Sequence, residues 1–381
     1  MTVVWTIPTR IVFGVGTVGQ VGLEAMRHGG KHPLVVVDAG VKEAGLLETV
    51  TQALETAQIA WTVFDQVTSH PDEAIVLAAT TAYRDSGCDC VVAVGGGSVI
   101  DVGKLVRLTV TLGPPLDRFA VGGSTTIAET MPPMIAVPTT AGSGSEVAQG
   151  AVLADRATGA SRVIASTKLV PTVALIDPQL TTTLSPRLTA TTGIQALTHC
   201  IEAYCAQGDH PMADAIAMAG AELVARNIER AVNEGKDVEV RGLLMKAAMM
   251  GGVAMRKGQG ACHAMAHPLA IGADLHTGIA DGICLPAVLD FNRSAVQDRI
   301  ARVGKLIGAR GDDEETLAFE CAGAVRALRR KVGLPEGLAA VAVDEELIHD
   351  LVPLAMEDPE HRRNPRACSA EDMFSLYRAS L

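Results

Sequence analysis

The stretch TGIQALTHCIEAY, residues 192–204, places a glutamine four positions before a histidine. On a helix, Gln195 and His199 share one face at that spacing. A carboxylate at residue 195 would make half of a metal site with the histidine, whereas an amide is a poor metal ligand. The type of residue 195 therefore decides which chemistry this segment supports.

A second segment, ACHAMAHPLAIGADLHTG at residues 261–278, adds three histidines. His263 and His267 are four residues apart and should face the same side of a helix, and His276 follows near the end. With His199, these segments hold four of the ten histidines, more than isolated core histidines explain. Metal binding, proton transfer and substrate hydrogen bonding all remain open for the group.

Cofactor binding is indicated by VVAVGGGSVIDVGK at residues 91–104, an apolar strand that ends in three glycines before a helix. Glycine lets the backbone approach a ligand closely, and the first turn of a helix offers free N–H groups and a positive dipole end. This order of elements favours a pyrophosphate site over a plain glycine turn.

Two further strand ends carry polar groups. Asp38 closes the strand LVVVDAG, where a carboxylate can accept hydrogen bonds from ribose hydroxyls and would repel a 2′-phosphate. The pattern alone indicates a turn-capping aspartate equally well. The loop VPTTAGSGSEV, residues 137–147, offers the hydroxyls of Thr139, Thr140 and Ser143 to a phosphate or an amide.

The elements that position these residues change character along the chain. In the first half, Val- and Ile-rich runs alternate with helical patterns, which predicts a largely parallel sheet covered by helices on both faces. The predicted strands are 33–40, 59–65, 90–98, 134–140 and 172–178, and the predicted helices include 41–57 and 73–86. From Ser185, with Pro186 at a first helical position, helical periodicity dominates. We therefore predict an α/β, Rossmann-like dinucleotide-binding domain at 1–184 and an all-α C-terminal domain at 185–381.

The composition narrows the class of protein. The net charge of −11 argues against a nucleic-acid-binding surface. We expect no signal peptide, because the start MTVVWTIPTRIVFG lacks a charged region followed by an apolar one, and we expect no membrane span. The eight cysteines are scattered without a CxxC pair, as in a reduced, cytoplasmic protein.

In combination, the segments resemble the iron-containing (group III) alcohol dehydrogenase family. The matching motifs are IVFGVG, VGGGSVIDVGK, PTTAGSGSEV, VALIDPQLT, TATTGIQALTHCIEAY, HAMAHPL and a C-terminal NPR, in that order over nearly the whole chain. The resemblance implies a dinucleotide-binding domain, a helical domain and a homodimer. It assigns to the cofactor the residues Asp38, Gly96, Gly97, Ser98, Asp101, Thr139, Thr140 and Ser143. A carboxylate at position 38 favours NAD over NADP.

The family's metal is held by an aspartate and a histidine on one helix and by two later histidines, and this chain departs from that set. His199 and His263 match one ligand position each. Gln195 stands at the aspartate position and Thr277 at the last histidine position, with His276 one residue early. A shift in register by one residue would make His276 an additional metal ligand. Nothing in the sequence restores the carboxylate, so we expect a divalent metal, Fe or Zn, to bind weakly or not at all.

The resemblance implies an NAD(H)-dependent enzyme that interconverts an alcohol and an aldehyde or ketone. Without a metal, we expect Gln195, His199 and His263 to bind the substrate oxygen and His267 to donate or relay the proton. Such a site favours reduction of an activated carbonyl, as in the related maleylacetate reductases. The alternatives are a non-catalytic or regulatory NAD-binding protein and a lyase of the dehydroquinate synthase type. The lyase would need a phosphate pocket rich in lysine and arginine, which is not visible near the histidine segments.

Overall fold

The structure is a computed structural model that describes residues 5–381; the first four residues, part of the start considered for a signal peptide, lie outside that range. The chain forms two compact units. The first comprises the chain up to Thr140 with Ser145–Arg156 and Arg162–Thr183, and the second comprises Ala141–Gly144, Ala157–Ser161 and Leu184–Leu381. Between residues 5 and 381, no helix is long and apolar enough to cross a membrane.

The first unit is built around a parallel sheet. Its strands, with those of a small second sheet, are β1 (Arg10–Phe13), β2 (Pro33–Asp38), β3 (Thr62–Val67), β4 (Cys90–Gly95), β5 (Met134–Pro138), β6 (Gly150–Asp155), β7 (Ala160–Ala165) and β8 (Val173–Ile176). In the described part of the chain, six of them form one sheet in the order β1-β8-β5-β4-β2-β3, with every neighbouring pair parallel. The carboxyl ends of β2, β4 and β5 therefore meet at one edge, where ligands bind in such folds.

Helices cover both faces of this sheet. They are α1 (Val21–Arg27), α2 (Ala39–Glu43), α3 (Leu46–Thr56), α4 (Glu73–Asp85) and α5 (Gly97–Leu112). Alternate residues of β2 enter different cores: Leu34 and Val36 pack with α4 and α5, whereas Val35 and Val37 pack with α1 and α3. The valine-rich run thus reflects a strand buried on both sides, as the sequence predicts.

The structure adds three strands to the predicted set and divides one predicted helix. β1 is a four-residue edge strand, too short for a repeating pattern, and it pairs with the distant β8. The small sheet of β6 and β7 is also absent from the prediction. The helix predicted at 41–57 is interrupted at Gly45, whose φ of 71° separates α2 from α3.

The second unit is helical. Its helices are α6 (Pro186–Cys205), α7 (Pro211–Asn233), α8 (Val238–Ala254), α9 (Ala261–Gly272), α10 (Thr277–Asn292), α11 (Gln297–Ile307), α12 (Glu314–Lys331), α13 (Glu345–Glu357) and α14 (Ala370–Arg378). The start of α6 is as predicted, because the Ser185 hydroxyl accepts the Leu188 N–H at 3.2 Å and Pro186 follows the cap. The predicted fold class, an α/β Rossmann-like region followed by an all-α region, is confirmed.

Candidate active site

In the first unit, β4 runs into α5 through the glycine segment predicted to bind the cofactor. A Cβ on Gly95 would lie 2.6 Å from the Val99 side chain, so the tight strand-to-helix turn leaves no room for a larger residue. Gly96 is the N-cap residue of α5, and a Cβ there would lie 3.5 Å from Thr140. The unpaired first N–H groups of this 16-residue helix make the arrangement that binds phosphate.

Asp38 ends β2, which is the neighbour of β4 in the sheet. Its Oδ1 accepts the Val41 N–H at 2.8 Å and caps α2, so the capping interpretation is correct. Gly97 and Ser98 occupy the first turn of α5, and the Ser98 hydroxyl donates to the Ser69 carbonyl at 2.6 Å. Asp38, Gly97 and Ser98 thus share the ligand-binding edge of the sheet.

Asp101 is engaged within the first unit itself. Its carboxylate accepts hydrogen bonds from the Ser145 hydroxyl, from the Val152 N–H at 3.1 Å and from the Lys104 ammonium at 3.2 Å. Lys104 is fully buried and also donates to Ser145 Oγ and to the Gly150 carbonyl, each at 2.6 Å. This network ties α5 to β6 and gives Asp101 a structural function, while the cofactor contact that the resemblance assigns to it stays a prediction.

The hydroxyl-rich loop after β5 is divided between the two units. Thr139 is buried and its N–H donates to the last carbonyl of β4 at 3.0 Å, while Thr140 lies beside the N-cap glycine of α5. Ser143 groups with the second unit. The structure therefore places Thr139 and Thr140 at the glycine turn, and the assignment of Ser143 to the cofactor stays a prediction.

In the second unit, three of the four predicted histidines form one cluster. His199 lies on α6, whose residues 189–205 are all buried, and His263 and His267 lie one turn apart on α9. The ring centroids of His199 and His263 are 5.4 Å apart, and those of His263 and His267 are 4.2 Å apart. The helical spacing read from the sequence does bring these rings to one place.

His267 has a partner that the sequence patterns do not indicate. Its Nδ1 lies 2.6 Å from Oδ2 of Asp358, and both side chains are buried. Burial opposes the charged ring, but the charge and hydrogen bond of Asp358 outweigh it and raise the pKa of His267. Oδ1 of Asp358 accepts the Glu360 N–H at 2.9 Å, which fixes the carboxylate just after α13. A ring held in this way can keep or pass a proton.

Gln195 lies one turn before His199 in closely packed surroundings. A Cβ on Gly142 would be 2.7 Å from Gln195 Oε1, and a Cβ on Gly278 would be 2.3 Å from the Thr191 carbonyl. The two glycines therefore let the loop after β5 and the start of α10 approach α6 closely. The amide is held among backbone segments, with its exposed fraction at 8%.

His276 is separate from the cluster. It is the exposed N-cap residue of α10, and its Nδ1 accepts the Gly278 N–H at 3.0 Å. The ring that stands one residue before Thr277 therefore caps a helix. This corrects the suggestion that His276 is an additional metal ligand.

A carboxylate nevertheless reaches the histidines. Ligand atoms of His199, His263 and Asp281 all lie within 4.8 Å of one another, and Asp281 comes from α10, one turn after Thr277. The sequence analysis identified no replacement for the missing carboxylate, whereas the structure places that of Asp281 beside two of the histidines. A signal was present, because a lone acid in the apolar run GIADGICLPAVL indicates a buried carboxylate that requires a partner.

These three side chains lack partners elsewhere in residues 5–381. Both nitrogens of His199, Nδ1 of His263 and both oxygens of Asp281 are buried without a hydrogen bond. Burial, with the charge of His267 adding to it, lowers the pKa of His199 to about 3, and burial raises the pKa of Asp281 to about 8. Two imidazoles and a carboxylate form a donor set that fits Fe²⁺ or Zn²⁺.

Comparison with known proteins decides the family. The family model described as iron-containing alcohol dehydrogenase matches residues 8–178, and the model described as Fe-containing alcohol dehydrogenase family, C-terminal, matches residues 189–381. The chain belongs to the iron-containing alcohol dehydrogenase family. The resemblance inferred from the sequence motifs is confirmed.

Individual relatives agree with this assignment over their full lengths. A 4-hydroxybutyrate dehydrogenase of Cupriavidus necator is 38% identical, with 98% of each chain covered. The crystal structure of a 1,3-propanediol oxidoreductase has a TM-score of 0.95 at 32% identity and covers 100% of both chains. A sulfoacetaldehyde reductase from Bifidobacterium kashiwanohense, solved in complex with NAD⁺, has a TM-score of 0.86 at 29% identity and covers 100% of this chain and 98% of its own.

The family assignment establishes the class of reaction. This dehydrogenase is an NAD(H)-dependent oxidoreductase that interconverts an alcohol and an aldehyde or ketone, as predicted from the resemblance. The substrate is a small molecule.

Proposed function

We infer that this dehydrogenase converts a small alcohol and its carbonyl product at the cluster of His199, His263 and His267. The observation that carries this proposal is the buried pair of His267 and Asp358 beside the two unpartnered imidazoles. The cluster combines a ring that can hold a proton with groups that can bind an oxygen. Both are required when hydride is added to a carbonyl carbon.

Each residue of the cluster has a separate task during carbonyl reduction. Hydride from NADH turns the carbonyl oxygen into an alkoxide, which needs a proton. His267 supplies this proton, and Asp358 stabilises the ring while it is charged. Gln195, His199 and His263 orient the oxygen before and during the transfer. Fe²⁺ or Zn²⁺ would be held by His199 and His263 and would supply Lewis-acid polarisation of the same oxygen.

The cofactor is bound in this proposal at the edge of the parallel sheet. The pyrophosphate lies at the α5 N-terminus, against Gly96, Gly97 and Ser98, with Thr139 and Thr140 beside it. Oδ1 of Asp38 already caps α2, so Oδ2 of the same carboxylate accepts a ribose hydroxyl. A carboxylate at that place repels a 2′-phosphate, which favours NADH over NADPH.

The substrate proposal follows the names of the relatives, which concern hydroxybutyrate, propanediol and sulfoacetaldehyde. We assign this enzyme to short-chain alcohols and aldehydes, with reduction as the working direction in a cytoplasm.

The expectation of a metal-free reaction on an activated carbonyl rested on a missing carboxylate. We do not carry it into the proposal, because the carboxylate of Asp281 lies beside His199 and His263. A homodimer is supported by the edge position of β1 and by the exposed side chains of Phe13, at its end, and Val15, just after it. We retain 1–184 and 185–381 as the proposed domains.

The test is oxidation of NADH, followed by absorbance, with propanal, 3-hydroxypropanal, succinic semialdehyde, sulfoacetaldehyde and a keto acid as substrates. We expect turnover with at least one short aldehyde and a marked preference for NADH over NADPH. The variant His267→Asn should lower kcat by about 10²- to 10⁴-fold, because the proton donor is lost. His349→Asn is the matched control, since His349 is an exposed histidine on α13. Absence of turnover with the whole panel, or equal activity of H267N and H349N, would contradict the proposal.

A further inference from the structure

We propose that Asp281 is a metal ligand and that His199, His263 and Asp281 together bind one divalent transition-metal ion. The carboxylate that is absent at residue 195 of α6 is supplied instead from α10. This inference rests on the proposed function and deepens it, because the ion would be adjacent to the substrate oxygen. It replaces the expectation of weak or absent metal binding.

The first argument is geometric. Ligand atoms that surround one Zn²⁺ at about 2.0–2.2 Å lie roughly 3.4 Å apart in a tetrahedron. The ligand atoms of His199, His263 and Asp281 lie within 4.8 Å of one another before any ion draws them together. Small side-chain rotations close that difference. Three protein ligands also leave a coordination position for a substrate oxygen, as in catalytic metal sites.

Within the described chain, buried polar atoms of His199, His263 and Asp281 have no hydrogen-bond partner. A buried carboxylate without a hydrogen bond or an ion pair is strongly unfavourable, and Asp281 has an exposed fraction of 0% with both oxygens unpaired. The imidazoles of His199 and His263 are unpaired beside it. One cation satisfies all three side chains at once, which no rotation of a single side chain can do.

The third argument is that the backbone around the three ligands is fixed. Glu202 of α6 accepts the N–H groups of Cys262 and His263 at 2.9 and 3.0 Å, which anchors the first turn of α9 to the helix that carries His199. The Cys262 thiol donates to the main-chain carbonyl of Asp281 at 3.4 Å, which anchors α9 to α10. The three helices that carry the ligands are therefore tied together next to the site. Such contacts between helices keep the side chains that bind a metal in their positions.

The chemistry of the donors defines the class of ion. Two imidazole nitrogens and one carboxylate oxygen suit Zn²⁺ and Fe²⁺ and are less suited to Ca²⁺ or Mg²⁺, which prefer oxygen ligands. Within the described residues, the group of candidate ligand atoms contains no cysteine sulfur. A soft, thiolate-bound ion is therefore not expected here.

The experiment measures metal binding directly. The full-length protein is purified without chelator, saturated anaerobically with Fe²⁺ or with Zn²⁺, desalted and analysed for bound metal by mass spectrometry. The affinity for Zn²⁺ is then measured by competition with a chromophoric chelator. We expect about one ion per wild-type chain. We also expect an unfolding temperature that rises on metal addition and falls on chelation.

The decisive variant is Asp281→Asn, with Asp290→Asn as the control. Both substitutions remove one carboxylate from α10, but Asp290 is exposed and lies outside the cluster. D281N should bind Zn²⁺ at least about tenfold more weakly, and its unfolding temperature should no longer respond to the metal, while D290N should behave as the wild type. Asp281→Ser serves as a second variant if D281N does not fold.

Each outcome separates this inference from the proposed function. A wild-type protein that reduces aldehydes but holds no ion after saturation overturns the metal site and leaves the function intact. D281N or D281S binding Zn²⁺ as tightly as D290N also overturns the assignment of Asp281. A chain that binds the ion through Asp281 but reduces no carbonyl compound supports the site and contradicts the function.

Discussion

Two buried groups of ionisable side chains differ in how completely the protein satisfies them. In the first unit, the Lys104 ammonium donates to Asp101, to Ser145 and to the Gly150 carbonyl, all within 3.2 Å. In the second unit, Asp281 lies beside two histidines, and its oxygens have no hydrogen bond within residues 5–381. Each group has a fully buried member, Lys104 in the first and Asp281 in the second, so burial alone does not distinguish them.

The difference supports a structural function for the first group and the proposed ligand-binding function for the second. A network whose donors and acceptors are all used rigidifies the fold, whereas unpaired buried groups persist only where something else supplies their partner. Asp101 belongs to the first kind although it stands in a cofactor motif. Asp281 belongs to the second kind although it stands outside the motifs that carry the resemblance.

The largest expected effect comes from breaking the satisfied network. Replacing Lys104 with methionine leaves the Asp101 carboxylate partly buried and without its cation. Removing one partner of a buried ion pair typically destabilises a protein by about 3–5 kcal/mol. We therefore expect K104M to lower the free energy of unfolding by about that amount, measured by urea denaturation followed by circular dichroism.

The double variant K104M/D101N is the control for this prediction. Asparagine keeps an acceptor for the Val152 N–H and removes the uncompensated charge. The double variant should therefore be more stable than K104M alone. A loss of under about 1 kcal/mol in K104M would show that the network contributes little to stability.

The same contrast explains how far the sequence could predict the molecule. The glycine turn after β4 was predictable because strand, glycines and helix are adjacent in the chain. The histidines on α6 and α9 were predictable as faces, because helical period fixes which side chains share a side. Asp358 lies 91 residues from its partner His267, and such a pairing depends on tertiary packing that no local pattern encodes.

The register of α10 is the other feature that the sequence left open. In the alignment of motifs, Thr277 stands at the last metal-ligand position of the family. The side chain that lies beside the histidines is that of Asp281, one turn later. The close approach of Gly278 and Gly282 to α6 helps to determine which turn of α10 faces the cluster. The edge strand β1 was missed for a similar reason, since its pairing with β8 is long-range.

The next prediction concerns His267, whose ring is hydrogen-bonded to Asp358. Asp358→Asn keeps an oxygen for the Glu360 N–H but removes the charge that stabilises protonated His267. A hydrogen bond to a charged group contributes about 1.5–3 kcal/mol, so kcat for aldehyde reduction should fall by roughly 10- to 100-fold. The KM for NADH should remain unchanged, because Asp358 acts on the proton donor and not on the cofactor.

Steady-state kinetics of D358N and Asp358→Glu separate positioning from folding. The glutamate variant keeps the charge and should recover part of kcat. Equal losses in kcat for both variants, with a lower unfolding temperature in each, would indicate that Asp358 matters only for the end of α13.

The smallest expected effect comes from adding a carboxylate beside His199, His263 and Asp281. Gln195 lies one turn before His199, at the position where the family carries an aspartate, and its Oε1 lies against Gly142. Aspartate is shorter than glutamine, so the substitution Gln195→Asp fits the same space. An added anionic ligand should tighten Zn²⁺ binding by about tenfold, or roughly 1.4 kcal/mol.

The control is Gln195→Asn, because asparagine has the same shape as aspartate but carries no charge. Chelator competition should therefore rank Q195D above the wild type and Q195N at or below it. Identical Zn²⁺ affinities of Q195D and Q195N would mean that residue 195 does not face the ion. The carboxylate ligand would then come from Asp281 on α10 and not from α6.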